Sequence, residues 1–291
     1  MTYLRTGLSL TATLALSVSY LPPAFAQEAP GLTGTLSFSQ GFELSDNEDL
    51  DSSTSGATFT SRTGLGFSVD SATTTETFRF AIGTEVVGAT GGGADGDFDL
   101  ESTNASVDYT RSGANSALSL SAGYSEINLD DEVTIGPSGT LIFDSGTVNV
   151  TSLGAGLQTG LNAPFGLDLD AGYTDRNYQN TTDPDLLDST TTSLDALARF
   201  HINPALTARV LAGVSDEDET GVGSTDTETT YMGVGVSGTT AGGLSFVGDV
   251  LFDRSESTPG GTEEGIGFEI SALQDRPTGS YGFDLGSRVD D

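Results

Sequence analysis

The chain has 291 residues, with 42 acidic side chains against 10 basic ones, a formal net charge of −32, and neither cysteine nor tryptophan. That charge excludes nucleic acid as a partner, because phosphate binding needs a basic footprint. The missing thiols exclude disulfides, thiolate metal sites and cysteine catalysis together.

Residues 1–26 read as a cleaved secretory leader. Arg5 gives a short positive start, Leu8 to Leu21 an apolar run broken by Ser and Thr, and Ala24-Phe25-Ala26 a small-residue cleavage site before Gln27. The two prolines and the short apolar run argue against a membrane anchor. No later apolar run is long enough for a spanning helix, so a membrane location for the mature protein requires a closed barrel.

From Leu32 onward apolar residues recur at every second position, the period of a strand with one apolar face. Leu36, Phe38, Phe42 and Leu44 mark the first strand. Phe59, Leu65, Phe67 and Val69 mark the second, Phe78, Phe80, Ile82 and Val86 the third, Ala105, Val107 and Tyr109 the fourth, and Leu118, Leu120, Ala122 and Tyr124 the fifth. Between Val148 and Leu157 the apolar parity changes, which either a β-bulge near Thr151 or Ser152 or a misplaced strand boundary would explain. Leu167, Leu169, Ala171 and Tyr173 follow.

The clearest unit is Ser193 to Asp216. Leu194, Ala196, Ala198, Phe200 and Ile202 alternate with Asp195, Leu197, Arg199 and His201; after Asn203-Pro204-Ala205, Leu206, Ala208, Val210, Ala212 and Val214 alternate with Thr207, Arg209, Leu211 and Gly213. A three-residue connection pairing Ile202 with Leu206 sets Phe200 opposite Ala208 and Arg199 opposite Arg209. Two adjacent arginines repel, so their face must be wet or receive carboxylates from neighbouring strands. A membrane barrel with lipid outside and a polar lumen meets that demand. Met232 to Val236, Leu244 to Phe252, Ile266 to Ala272 and Tyr281 to Leu285 complete 13 predicted strands of roughly the 9–11 residues that a tilted membrane strand needs.

The predicted connections alternate in length. Long ones fall near 45–56, 89–101, 130–146, 179–190, 217–228 and 256–263, and short ones near 70–76, 112–116, 161–165, 203–205, 239–243 and 274–279. Outer-membrane barrels have short periplasmic turns and longer extracellular loops. Acids concentrate in the long set, among them Asp46, Glu48, Asp49, Asp95, Asp97, Asp99, Asp130, Asp131, Glu217, Asp218 and Glu219. Such runs are ordinarily solvated. The sharper reading is Ca²⁺ or Mg²⁺ shared with anionic headgroups, with Asp95, Asp97 and Asp99 as a weak metal candidate, since Leu100 stands where an EF-hand loop needs glycine. No other cofactor is expected.

The leader, the hairpin rhythm, the segment Gly172-Tyr173-Thr174-Asp175-Arg176-Asn177-Tyr178 and the later Ala198-Arg199-Phe200-His201-Ile202-Asn203-Pro204 resemble Gram-negative outer-membrane proteins of the β-barrel porin group. The resemblance implies a pore-like protein of the bacterial outer membrane and carries over no catalytic residue. The expected fold is an all-β, transmembrane, antiparallel up-and-down barrel over residues 32–291, preceded by a short periplasmic N-terminus at 27–31. Such barrels commonly have even strand counts and close on an aromatic residue; this chain stops at Asp291 on an odd strand, which points to further strands beyond it.

With the apolar face toward lipid, parity assigns Glu43, Arg62, Arg79, Glu85, Asp108, Asp168, Asp170, Asp195, Arg199, Arg209, Asp249, Asp253, Glu269 and Asp284 to the pore lining, with Arg176. Acids prevail, so the expected function is passive diffusion of small hydrophilic solutes or ions with a mild cation preference. The competing assignment has these charges pairing across strands, for instance Arg62 with Glu85, and plugging the lumen. Catalysis is not expected, because His201 is the one histidine and sits beside a short turn on the inward face. The alternative is a closed structural or adhesive barrel with cation-binding surface loops. A secreted β-solenoid would need a fixed repeat length, which the varying hairpins lack. Tyr109, Tyr124, Tyr173, Tyr178, Tyr231 and Tyr281 are the candidates for a membrane-interface girdle. The solute, pore radius and oligomeric state are not legible in the sequence.

Overall fold

The computed structural model describes residues 14–19, 31–45, 57–91, 94–129, 134–135, 141–142, 146–181, 186–221, 223–276 and 279–287. The cleavage-site residues Ala24 and Ala26, and most of the first and third long connections, lie outside them.

Every regular element among the described residues is a strand. In chain order they are β1 (Leu14–Ser19), β2 (Leu32–Ser45), β3 (Thr58–Ala72), β4 (Glu76–Gly91), β5 (Ala94–Ser112), β6 (Ser116–Asn128), β7 (Thr134–Ile135), β8 (Leu141–Ile142), β9 (Thr147–Thr159), β10 (Phe165–Gln179), β11 (Asp188–Asn203), β12 (Leu206–Thr220), β13 (Asp226–Thr239), β14 (Leu244–Thr258), β15 (Thr262–Arg276) and β16 (Gly279–Ser287). The hydrogen-bonded order is the sequence order, with β7 and β8 forming a separate two-stranded hairpin in the connection from β6 to β9. From β2 onward the large sheet therefore contains the 13 up-and-down strands that the apolar period predicts. It is open among the described residues, with β1 and β16 at its ends. β1 falls inside the predicted leader and runs antiparallel to β2, Leu16 opposite Phe38 and Val18 opposite Leu36.

The contacts of the chain group into two compact units, which divide β5, β6 and β9 between them and leave the last residue of β10, Gln179, with the first. The first holds β2–β4, the second β10–β16. In the first, the apolar row Leu36, Phe67, Ile82 runs straight across β2, β3 and β4. Phe42 stacks on Phe59 with ring centres 5.7 Å apart. The same face holds one polar group that satisfies itself: Gln40 accepts from the Thr63 hydroxyl and donates to Ser61 Oγ. In the second unit, Phe165 pairs with Phe200 at 5.1 Å, and Ala212, Met232, Phe252 and Ile266 form a continuous row.

The distribution of burial is inverted relative to a water-soluble protein. Among the described hydrophobic residues only Leu129, Val148 and Leu251 are buried, while Met232, Val234 and Ile266 are 61–77% exposed and Phe, Leu and Val side chains of nearly every strand are exposed. Buried instead are Asp168, Asp249, Asp253, Thr58, Thr60 and Ser255. Along β14 the alternation is complete: Asp249, Leu251, Asp253 and Ser255 are buried, and Val250 and Phe252 between them are exposed. In water each such exposed side chain would forgo about 1.5–3 kcal/mol of hydrophobic stabilisation. No other part of the described chain covers them.

Four sequence expectations need correction. Twelve of the 13 strands are longer than 9–11 residues, from 13 in β6 and β9 to 19 in β5, while β16 has 9. Apolar alternation stops at the edge of the apolar band, but the ladder continues through Ser, Thr and acidic residues, with hydroxyl pairs such as Thr227 with Ser257 across β13 and β14. Consequently the predicted loop 89–101 is mostly strand, the predicted loop 256–263 shrinks to Pro259–Gly261, and Glu217, Asp218 and Glu219 belong to β12. The hairpin turn is tighter than three residues: Asn203, not Ile202, lies opposite Leu206, with a register shift after His201. The Asn203 side chain accepts from the Ala205 amide and closes the turn around Pro204. Finally, β9 needs no parity slip. Leu153 and Leu157 are exposed with the other apolar residues, whereas Val148 is buried with the polar set.

Candidate functional site

The face opposite the apolar band carries the chemistry of this chain. Strand pairing places Glu43, Arg62, Glu85, Asp70 and Arg79 on it in the first unit, and Asp168, Asp170, Asp195, Arg199, Arg209, Asp249, Asp253, Glu269 and Asp284 in the second. Asp108 is exposed on β5.

In the second unit the middle of this face, across β10–β14, is filled by long side chains. Arg199 and Arg209 are direct cross-strand partners, as the hairpin predicts. Repulsion is relieved because they turn opposite ways: Arg199 Nη2 reaches Asp168 Oδ1 on β10 at 2.5 Å, and Arg209 Nη1 reaches Asp249 Oδ2 on β14 at 3.0 Å. The second bridge spans β13, where Gly235 stands directly between the two partners. A Cβ at Gly235 would lie 1.8 Å from Asp249 Oδ1, so glycine is what lets the carboxylate lie across the strand. Two rows away on the same face Tyr231 lies over Gly213, and its hydroxyl donates to Asp195 Oδ1 at 2.5 Å. Leu251 lies over Gly233 between the two rows. Asp253 continues the tyrosine row; its Oδ2 is buried and meets no hydrogen-bond partner among the described residues. Asp170, Arg176, Glu269 and Asp284 are exposed.

The first unit is different. Arg62 does not pair with Glu85: the residue opposite Arg62 is Val87, and its guanidinium reaches over β4 to bond Glu101 on β5. Arg79 pairs with Asp70 directly opposite, Nε to Oδ1 at 2.7 Å. Between these two pairs, small residues leave a cavity of about 440 Å³, with Ser37, Ser39, Gly64, Gly83, Glu85 and Asn104 among its lining. Glu43 lies beyond Arg62 toward the long connections, opposite Thr60.

Sequence reading missed the parts played by Glu101, Tyr231 and Gly235. It assigned Glu101 to a loop, and it placed Tyr231 at the membrane interface, whereas Tyr231 turns to the polar face and bonds Asp195. The alternating Gly233-Val234-Gly235-Val236 was the available signal for long side chains crossing β13. His201 bonds the Thr207 hydroxyl through Nδ1 at 2.8 Å, a cross-strand structural contact. Asp99 belongs to strand β5 rather than to a loop, and the side chains of Asp95 and Asp97 lie outside the described residues. Among the described residues no three acidic or histidine side chains converge to hold a metal ion.

No family model matches the chain, and no curated protein matches it. A solved structure titled copper transporter OprC is similar, with a TM-score of 0.46 and 12% sequence identity over 94% of this chain and 52% of that one. The chain thus spans about half the length of the structure it matches.

Proposed function

We propose that this chain is a porin-like channel of a bacterial outer membrane, passing small hydrophilic solutes or ions by passive diffusion with a mild preference for cations. The observation that carries the reading is the inversion of burial: valine, phenylalanine and isoleucine are exposed on one face of the sheet, while the buried side chains of the other face include Thr58 and Thr60 on β3, Asp168 on β10 and Asp249, Asp253 and Ser255 on β14. Such a sheet is stable where the apolar face meets lipid and every backbone group within the bilayer is paired, which antiparallel strands closing into a barrel provide. The excess of carboxylates on the polar face supports the cation preference.

A second reading is a closed structural or adhesive barrel. The polar face around Arg199, Arg209, Tyr231 and Leu251 favours it, because these long side chains lie over glycines and fill that stretch of the surface. Single-channel recording of the refolded mature protein in a planar bilayer under a salt gradient separates the two. Discrete conductance steps with a cation-directed reversal potential are the expected result. Absence of steps, from protein whose gel mobility still changes on boiling, would replace the channel by the closed barrel.

A further inference from the structure

We propose, building on the channel reading, that ions pass along the polar face of β2–β5 and that Glu85 is the carboxylate that selects cations there. Glu85 sits mid-strand on β4, opposite Gly64, which is itself opposite Ser39. The side chain nearest a built Cβ at Gly64 is Ser39, and at Gly66 it is Ser37, so the floor of the cavity beside Glu85 is covered there by serines rather than by long side chains.

Charge pairing isolates Glu85 further. Arg62, the arginine two residues along the facing strand from Gly64, is drawn across to Glu101, and Arg79 is held by Asp70. Glu85 therefore faces the 440 Å³ cavity without an arginine to neutralise it, beside the Asn104 side chain packed over Gly83. That volume holds on the order of ten waters, enough for a hydrated inorganic ion. A cation shedding part of its water shell finds carboxylate, amide and hydroxyl oxygens, the donors a hard cation prefers. An anion finds no unpaired positive charge among the described groups of this cavity. On β10–β15 the corresponding surface is occupied by Arg199, Arg209, Tyr231 and Leu251.

The test uses the refolded full-length mature protein in a planar bilayer with a KCl gradient, folding being checked by the boiling-dependent gel shift. Glu85→Gln should keep the conductance steps and lower the K⁺ over Cl⁻ permeability ratio about threefold, while Glu85→Asp preserves it. Glu228→Gln, which removes an exposed carboxylate from the other face of β13, should leave the ratio unchanged. Because the chain has no cysteine, Glu85→Cys adds a positional readout: a cationic methanethiosulfonate should reduce the conductance stepwise, whereas Ser255→Cys, buried on β14, should not respond. A wild-type protein without conductance would overturn the channel reading and this inference with it. Conductance in the wild type with an unaltered ratio in Glu85→Gln, or with no block of Glu85→Cys, would overturn this inference alone.

Discussion

The polar faces of the two units solve the same problem in opposite ways. On β10–β15 long side chains fill the space: Arg209 reaches Asp249 over Gly235, Tyr231 reaches Asp195 over Gly213, and Leu251 lies over Gly233. On β3 Gly64 and Gly66 sit under serine hydroxyls, and the space above them is left as a cavity holding Glu85. Glycine on a polar strand face therefore has no fixed meaning. Its effect depends on whether the cross-strand neighbour is long enough to lie over it.

Breaking the filled side should have the largest effect. Arg209→Met leaves Asp249, whose side chain is only 3% exposed, without its counter-charge, and should destabilise by about 3–5 kcal/mol. Adding Asp249→Leu should recover most of that loss. Urea unfolding in lipid vesicles measures both. Gly235→Ala drives a methyl into Asp249 Oδ1 and toward the Gly248 carbonyl and should cost about 1–3 kcal/mol. Gly64→Ala in the first unit meets only the Ser39 hydroxyl, which can rotate away, so its unfolding midpoint should stay near that of the wild type. Equal losses at the two glycines would erase the comparison.

A smaller effect of opposite sign is expected at Asp253. Replacing this buried, unpartnered carboxylate by asparagine removes an uncompensated charge and should stabilise by about 1 kcal/mol, read as a higher temperature for the gel-mobility transition. Smallest of all is Arg254→Gln. Its bonds to Glu256 and Glu264 lie on the exposed face with all three side chains about half accessible, and the change should stay within about 0.5 kcal/mol.

Period-two alternation made the strand count and the faces legible, because one strand face must be apolar wherever lipid or core meets it. The same signal could not show where strands end. Segments such as Thr190 to Ser193 and Glu217 to Thr220 carry no apolar alternation, yet they pair residue by residue. The repulsion between Arg199 and Arg209 required either a wet face or carboxylates from neighbouring strands, since that follows from local register alone, and the structure supplies carboxylates. Choosing the partner needed the full sheet: Asp249 is two strands from Arg209, and Glu101 reaches Arg62 over an intervening strand. Register between distant hairpins is set by turn geometry, and the tight Asn203 turn already departs from its expected form.

The orientation of the exposed apolar band toward lipid is tested most directly on β13, where exposure alternates residue by residue. Single cysteines at 232, 233, 234, 235 and 236, each carrying a small fluorophore in vesicles of brominated lipid, report whether the position touches acyl chains. Met232, Val234 and Val236 should be strongly quenched, and Gly233 and Gly235 weakly. Uniform quenching, none at all, or the reverse alternation would contradict the assignment of the apolar face to the membrane.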